Sequence, residues 1–325
     1  MNIADIIGNH ETKMQLVVAT TAAKKKNSSV PHALFEGPAG TGKTTFACAL
    51  AELAGTVFIE EDPSSMKNIE AVRDVLKRIP SDGYDLGGNV IDEIKPAVLF
   101  FDEIHNLPLK GQELLGLVME NWRLAIPVHG SSQIAWVPRF TLIGATTLAG
   151  KLSKPFRDRF KMTFTFQTYD QDDSIKIIGK HAEKMGVEID HAAALAISAR
   201  GRGVPRILVR FLDRATDFSL ALNKTKIDSD IVGAMFHVLH IDGLGLTTAD
   251  TTILEALYEA DGEPIGLDTL QVITNKAAAT ISNEIEPYLI QNGFLTRGPK
   301  GRALTEKGRE YVSSNQPEQS GLKII

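Results

Sequence analysis

Between Ala33 and Phe166 short apolar runs alternate with amphipathic stretches. Ala33-Leu34-Phe35, Val57-Phe58-Ile59, Ala97 to Phe101 and Phe140 to Gly144 are compact runs flanked by turn or charged residues, and Thr44 to Leu53 carries a helical pattern. Runs this short suit buried parallel strands, and strand, helix, strand repetition predicts an α/β layer fold. A polar, helix-rich lead-in fills residues 1–30, with Lys24-Lys25-Lys26 and Asn27-Ser28-Ser29 as a loop.

After Tyr169 the pattern changes. Asp172 to Lys184, His191 to Ala199, Pro205 to Leu222 and Asp228 to Val238 have helical periodicity, which predicts a small all-α domain. A Gly-rich, polar connector, Asp242 to Thr248, leads to two or three more helices, then Gly293-Phe294-Leu295 and the turn-rich stretch Arg297 to Arg302. Helices followed by a basic β-turn suggest a winged helix. From Ser313 onward a polar, disordered tail is expected. The expected boundaries are therefore 1–168, 169–241, 242–312 and a tail at 313–325.

A length of 325 residues fits two or three domains, and 43% hydrophobic with 23% charged residues is ordinary globular composition. The single Cys48 cannot form an intrachain disulfide, and no apolar run approaches the roughly 18 residues of a membrane helix. A cytoplasmic protein without a membrane segment is expected. The formal net charge of −5 opposes indiscriminate nucleic-acid binding but permits local basic patches. The histidines offer no metal set: His237 and His240 share a helix face without a Cys or carboxylate cluster.

The chemistry concentrates in four stretches. Gly37-Pro38-Ala39-Gly40-Thr41-Gly42-Lys43-Thr44, with Thr45 following, has the spacing of a phosphate-binding loop between a strand and a helix. Glycines let successive amides face the phosphates, Lys43 reaches the outer phosphates, and the Thr44 hydroxyl ligates magnesium. Val98 to Phe101 is a strand ending in two carboxylates; Asp102 would hold the magnesium shell and Glu103 would polarise the attacking water. ATP and Mg2+ are thus the expected cofactors. Phe140 to Thr147 ends in small polar residues, where Thr146 would touch the γ-phosphate or the lytic water, or simply close a strand-end turn. Arg157 and Arg159 are either an arginine finger aimed at a neighbouring subunit or a solvated charged loop. In Gly203-Val204-Pro205-Arg206, Arg206 is placed to sense phosphate, although Pro205 also reads as a plain helix start.

Together these residues resemble the bacterial RuvB branch-migration motors of the AAA+ class, from about Ile6 to Thr305. Phe101 to His105, Leu142 to Thr147 with Ala149-Gly150, Pro155 to Phe160, Gly203 to Arg206, Gly266 to Leu270 and Glu286 to Leu295 carry the likeness. The resemblance implies an AAA+ P-loop domain, a helical lid and a C-terminal winged helix. Thr146 becomes sensor 1, Arg206 sensor 2, and Arg159 the finger ahead of Arg157. Tyr169 is implied beside adenine, where core packing is the competing reading, with Ile6-Ile7-Gly8 and His32-Ala33 as the base-binding wall. Arg297 and Arg302 fall on the DNA-facing wing.

Around that wing, Leu295 to Glu310 holds Arg297, Lys300, Arg302, Lys307 and Arg309 against Glu306 and Glu310, a local +3 (five minus two). That patch is either a phosphate contact that positions DNA without reading sequence or a solvated turn. The resemblance implies a ring, hexameric in the family, that drives branch migration of Holliday junctions with ATP. A loader-type AAA+ switch and an ATP-controlled DNA-binding regulator are the alternatives.

Three departures stand out. The chain begins directly at the Ile6 region, carries Pro80 to Asn89 where the family is shorter or different, and has a shortened hairpin, Leu124 to Val137, with its turn at His129-Gly130-Ser131-Ser132. In the family that hairpin docks the junction-binding partner, RuvA; Pro127 and Trp136 are unusual there. A divergent or virus-borne relative, acting in a bacterial cytoplasm or an infected host cell, fits these features.

Overall fold

The computed structural model describes residues 2–79, 96–128 and 131–315, so Pro80 to Asn89, the His129-Gly130 tip and the tail beyond Asn315 lie outside the described residues. The chain forms two compact units: residues 1–177 with Val204–Arg206, and residues 178–203 with those from Ile207 onward.

The first unit begins with α1 (His10–Lys25) and β1 (Ala33–Glu36), then α2 (Lys43–Ala54), β2 (Val57–Glu61), α3 (Ile69–Lys77) and β3 (Ala97–Phe101). It continues with α4 (Leu109–Asn121), the hairpin β4 (Arg123–Val128) and β5 (Ser131–Trp136), β6 (Phe140–Thr146), α5 (Lys154–Arg157) and β7 (Met162–Thr165). Helix α6 (Gln171–Met185) starts in this unit.

Five strands form one parallel sheet in the order β2-β3-β6-β1-β7. Successive side chains point to opposite faces, and both faces are apolar. Leu34, Leu99, Phe101, Phe140 and Leu142 pack with Val72, Val75 and Leu76 of α3 and Leu115 and Val118 of α4. Phe35, Val98, Phe100, Ile143 and Ala145 pack with Leu16 of α1 and Phe46, Ala47 and Leu50 of α2. Burial on both faces explains why β1, β3 and β6 read as unbroken apolar runs. The edge strand β2 is less covered, with Val57 42% exposed.

The hairpin pairs Arg123 with Trp136 and Val128 with Ser131 in a separate antiparallel ribbon. Ser131 and Ser132, expected in its turn, are instead paired strand residues opposite Val128 and Pro127.

The second unit contains β8 (Glu188–Ile189), α7 (His191–Arg200), most of α8 (Pro205–Ala221), β9 (Lys226–Ile227) and α9 (Ser229–Val238). The two-residue strands β8 and β9 pair in parallel, a small sheet in a region expected to be all helical. Next come α10 (Thr248–Glu259), α11 (Leu267–Thr274), α12 (Ala278–Thr280), a π-helical turn at Ile281–Ile285 and α13 (Glu286–Gln291). The antiparallel wing β10 (Leu295–Gly298) and β11 (Gly301–Leu304) follows, then α14 (Glu306–Asn315). Helix α14 takes Ser313 to Asn315 out of the expected tail and buries Val312 against Leu254, Leu257 and Phe294.

Candidate functional site

Parallel pairing brings the carboxyl ends of β1, β6 and β3 side by side, since Glu36 is opposite Thr146 and Phe101 opposite Gly144. Open α/β sheets present their ligand sites at that end. The three loops leaving it are Gly37–Thr44, Asp102–His105 and Thr146–Leu148.

The first loop needs its glycines. Gly37 has φ +141°, and a Cβ there would lie 2.2 Å from the Phe166 carbonyl oxygen. Gly42, at φ +98°, is the N-cap of α2. Lys43 is 6% exposed, and its Nζ donates to Gly37 O and Pro38 O, each at 2.8 Å. Burial lowers its pKa, against the opposing pull of Glu103 and Asp102. Thr41 is buried and donates to Pro38 O at 2.8 Å. Thr44 and Thr45, half-buried, occupy the first turn of α2. Pro38, Ala39 and Gly40 complete the loop, and Gly40 O accepts the Arg206 N–H at 3.3 Å.

The second loop carries both carboxylates. Asp102 Oδ1 accepts the Glu103 N–H at 3.1 Å. Glu103 adopts φ +48°, a left-handed conformation rare outside glycine and asparagine. Its Oε2 accepts from Thr147 N at 3.1 Å and Thr147 Oγ1 at 3.0 Å, and stands 3.1 Å from His105 Nδ1. The same Nδ1 lies 2.9 Å from Thr146 Oγ1, which also accepts the Leu148 N–H at 3.0 Å. Burial lowers the His105 pKa, while Glu103 partly raises it back. His105, two residues along the same loop, stands beside the acids as the orienting group the sequence suggests. Thr147 had no assigned role: only the adjacency of β3 and β6 brings it to Glu103, and strand order is invisible in a one-dimensional pattern.

Tyr169 OH donates to Thr41 O at 3.2 Å and accepts from Asn9 Nδ2 at 2.9 Å, and a Cβ on Gly8 would lie 2.6 Å from its ring. The ring therefore packs on the backbone next to Ile6 and Ile7, with Ile6 buried and Ile7 half-buried. His32 and Ala33 lie elsewhere. His32 is 7% exposed, its Nδ1 accepts the Leu142 N–H at 2.8 Å, and its ring packs with Trp122 and Phe140. Both His32 and the fully buried Ala33 belong to the sheet core, not to an accessible base-binding wall.

Pro205 opens α8, with Arg206 exposed beside it. Arg157 is exposed, whereas Arg159 is held. Arg159 Nη1 donates to Pro155 O at 2.6 Å, its Nε lies 3.1 Å from Glu120 Oε1, and its stem crosses Gly116 of α4.

Within the second unit the wing corrects one expectation. Arg302 does not face outward for DNA: its side chain is 7% exposed and forms a two-pronged ion pair with Glu286, Nε to Oε1 at 2.5 Å and Nη2 to Oε2 at 3.2 Å. A buried carboxylate requires such a partner. Arg297, 57% exposed, and Lys300, exposed, remain as outward cations, Arg297 standing 3.7 Å from the far Glu286 oxygen. Arg309 and Lys307 belong to α14, not to the wing.

Chemically, a glycine loop with a buried lysine at a helix N-terminus suits a polyphosphate. The hydroxyl of Thr44 and the carboxylate of Asp102 are hard oxygen donors of the kind magnesium takes. Among the described residues no cluster of three His, Cys, Asp or Glu side chains suits a metal ion, and no helix is long and apolar enough to cross a membrane.

Comparison with known families agrees along the chain. Residues 1–166 match the Holliday junction DNA helicase RuvB P-loop domain, 169–242 the RuvB AAA lid domain, and 243–313 the RuvB C-terminal winged helix domain. The Holliday junction branch migration complex subunit RuvB of Helicobacter pylori (strain ATCC 700392 / 26695) is 38% identical over 95% of this chain and 89% of its own length. RuvB 2 of Synechococcus sp. (strain JA-3-3Ab) is 35% identical over 95% of this chain and 81% of its own. The solved Thermotoga maritima RuvB Holliday junction branch migration motor superposes with a TM-score of 0.82 at 33% identity, covering 97% of this chain and 98% of that one. With a parallel-sheet P-loop domain, a helical lid and a winged helix in that order, the chain belongs to the RuvB family of AAA+ P-loop proteins.

Proposed function

We propose that this protein hydrolyses ATP to drive branch migration of Holliday junctions, working as a ring of identical subunits, hexameric as the family resemblance implies. The observation that carries the proposal is the presence, in one chain matching RuvB from residue 1 to 313, of a complete phosphate site and a winged helix. Its seat of action would be the cytoplasm where the DNA lies.

Lys43 and the 37–42 backbone would hold the triphosphate, with Tyr169, Ile6 and Ile7 beside the base. Thr44 and Asp102 would hold a magnesium ion, which supplies charge neutralisation between the outer phosphates. Glu103 would orient the lytic water through Oε1, because Oε2 is occupied by Thr147. Thr146 and Arg206 would contact the terminal phosphate as sensors. Arg159, released from Glu120 or acting beside Arg157, would reach a neighbouring subunit's nucleotide, which makes hydrolysis depend on assembly.

The outward cations Arg297 and Lys300 would touch DNA phosphates, a contact that positions the duplex without selecting sequence. The β4–β5 hairpin carries exposed Ile134 and Trp136, with the Arg123 guanidinium 4.5 Å above the Trp136 ring. An exposed amphipathic aromatic on a separate two-stranded ribbon suits docking of a RuvA-like junction-binding protein.

Purified protein with ATP and a synthetic four-way junction tests this reading, with and without a RuvA-type partner. Dissociation of the junction into duplex products by arm exchange, with every strand intact, is expected. Assembly of a protein ring on DNA without arm exchange would overturn the motor reading in favour of a loader.

A further inference from the structure

The turn between α7 and α8 belongs to both units in succession. Residues up to Gly203 lie in the second unit, and Val204–Arg206 lie in the first, where Arg206 N–H reaches Gly40 O of the phosphate loop. Two residues before Val204, Arg202 is fastened in the opposite sense. Its side chain is 12% exposed, and Nη2 donates to Asp250 Oδ2 at 2.5 Å and to Gly245 O at 2.6 Å, with Nε 3.1 Å from the same carbonyl. The guanidinium also lies 4.0 Å from the centre of the Tyr288 ring of α13.

The partners of Arg202 are the parts that build the winged helix. Asp250, 1% exposed, is the capping-box acid of α10, accepting from Thr247 N and Oγ1 at 2.7 and 2.6 Å. Tyr288 closes on the same stretch through a bond from its hydroxyl to Leu244 O. The supposed connector 242–248 is a folded clamp. Asp242 Oδ1 accepts from Leu244 N and Leu246 N, its Oδ2 accepts from Tyr311 of α14, and its carbonyl accepts from Arg200 Nε. Gly245 runs so close to α7 that a Cβ there would meet Arg200 O at 2.7 Å. Arg202 itself sits at φ +55°, followed by Gly203 at +64°. A non-glycine residue holds that conformation only where its surroundings over-determine it.

We infer that Arg202 is a positioning residue that fastens the winged helix to the turn touching the phosphate loop, so that movement of Val204–Arg206 during the nucleotide cycle is delivered to the DNA-facing domain. Arg202 and Val204 are two residues apart, a reach of at most about 7 Å of extended chain, so little slack separates the two attachments. The inference rests on the ATP-driven motor reading above. It assigns transmission to Arg202 and leaves phosphate binding and DNA binding to other residues.

The test uses the full chain with Arg202→Asn, which tolerates left-handed backbone, and with the pair Arg202→Asn and Asp250→Asn. The pair removes both buried charges, while the amide that replaces the Asp250 carboxylate can still cap α10. For the pair, nucleotide affinity, basal ATPase and duplex DNA binding are expected within twofold of the parent, while DNA stimulation of ATPase and junction migration fall at least tenfold. In the parent protein, adding the non-hydrolysable analogue adenylyl-imidodiphosphate is expected to change amide exchange over 242–250, and the pair should lose that response. Full DNA stimulation in the pair, or an exchange pattern over 242–250 indifferent to nucleotide in the parent, would overturn the inference. The exchange measurement on the parent decides even if the variants do not fold. A parent that neither migrates junctions nor responds to DNA would instead sink the motor reading.

Discussion

The carboxylate of Glu103 is gripped by Thr147, which donates both its N–H and its hydroxyl to the same oxygen at 3.1 and 3.0 Å. One oxygen is anchored and the other, Oε1, is the one that would orient water in the proposed mechanism. Glu103→Gln is expected to keep ATP affinity and lower turnover by about 100-fold or more, the usual worth of a positioned general base. Thr147→Val keeps the N–H bond and loses the hydroxyl bond. We expect kcat to fall by about tenfold with KM unchanged, because the reacting group is then less well oriented. Parent-like turnover in Glu103→Gln would remove it from this role.

Lys43 is the only described lysine buried below a tenth of its surface. Lys43→Ala should weaken binding of a fluorescent ATP analogue by at least about tenfold, equivalent to about 1.4 kcal/mol. Mixing Lys43→Ala with Arg159→Ala subunits should restore ATPase above that of either variant alone, since each supplies what the other lacks. Absence of such complementation, with mixed rings shown to form, would argue against a finger acting between subunits.

On the wing, two arginines five residues apart should behave oppositely. Arg302→Ala leaves Glu286 buried without its partner and should destabilise the winged helix by about 3–5 kcal/mol. Arg297→Ala should leave the melting temperature unchanged and reduce the salt slope of DNA binding by about one. Thermal melts and salt titrations separate the two effects; a pure loss of DNA contact without destabilisation in Arg302→Ala would contradict the burial.

His32 gives a pH dependence. Burial lowers its pKa from 6.5 to about 4, and its Nδ1 must stay unprotonated to accept the Leu142 N–H. Between those values the unfolded chain binds a proton that the folded chain refuses, so stability rises with pH. The loss on acidification begins as pH falls through 6.5, is complete near pH 4, and amounts to about 3 kcal/mol. His32→Asn, which can still accept that bond, should flatten denaturant-measured stability across this window; an unchanged slope would contradict the assignment.

The phosphate loop and the two acids were legible because local spacing dictates them: glycines at positive φ, a lysine at a helix start, carboxylates closing a buried strand. The wing was legible as a turn with cations, yet charge counting could not separate Arg297 from Arg302. Only the folded chain sets Glu286, sixteen residues back, beneath Arg302. His32 misled in the same way, since a histidine before a strand looks alike whether it lines a pocket or caps a neighbour's backbone. Thr147 and Arg202 escaped notice because their partners come from other strands or helices, and no periodicity encodes such meetings.

Strand β6 lies between β1 and β3, and this fixes a length scale for the chemistry. Neighbouring strands are about 4.8 Å apart, so the strand feeding the phosphate loop and the strand bearing the acids run about 10 Å apart. The sheet thus works as a rigid gauge whose gap is set by backbone hydrogen bonds and is insensitive to side-chain changes. In the proposed cycle, adjustments of speed would then fall to the loops at its rim, where Thr146 and Thr147 stand at the end of the middle strand.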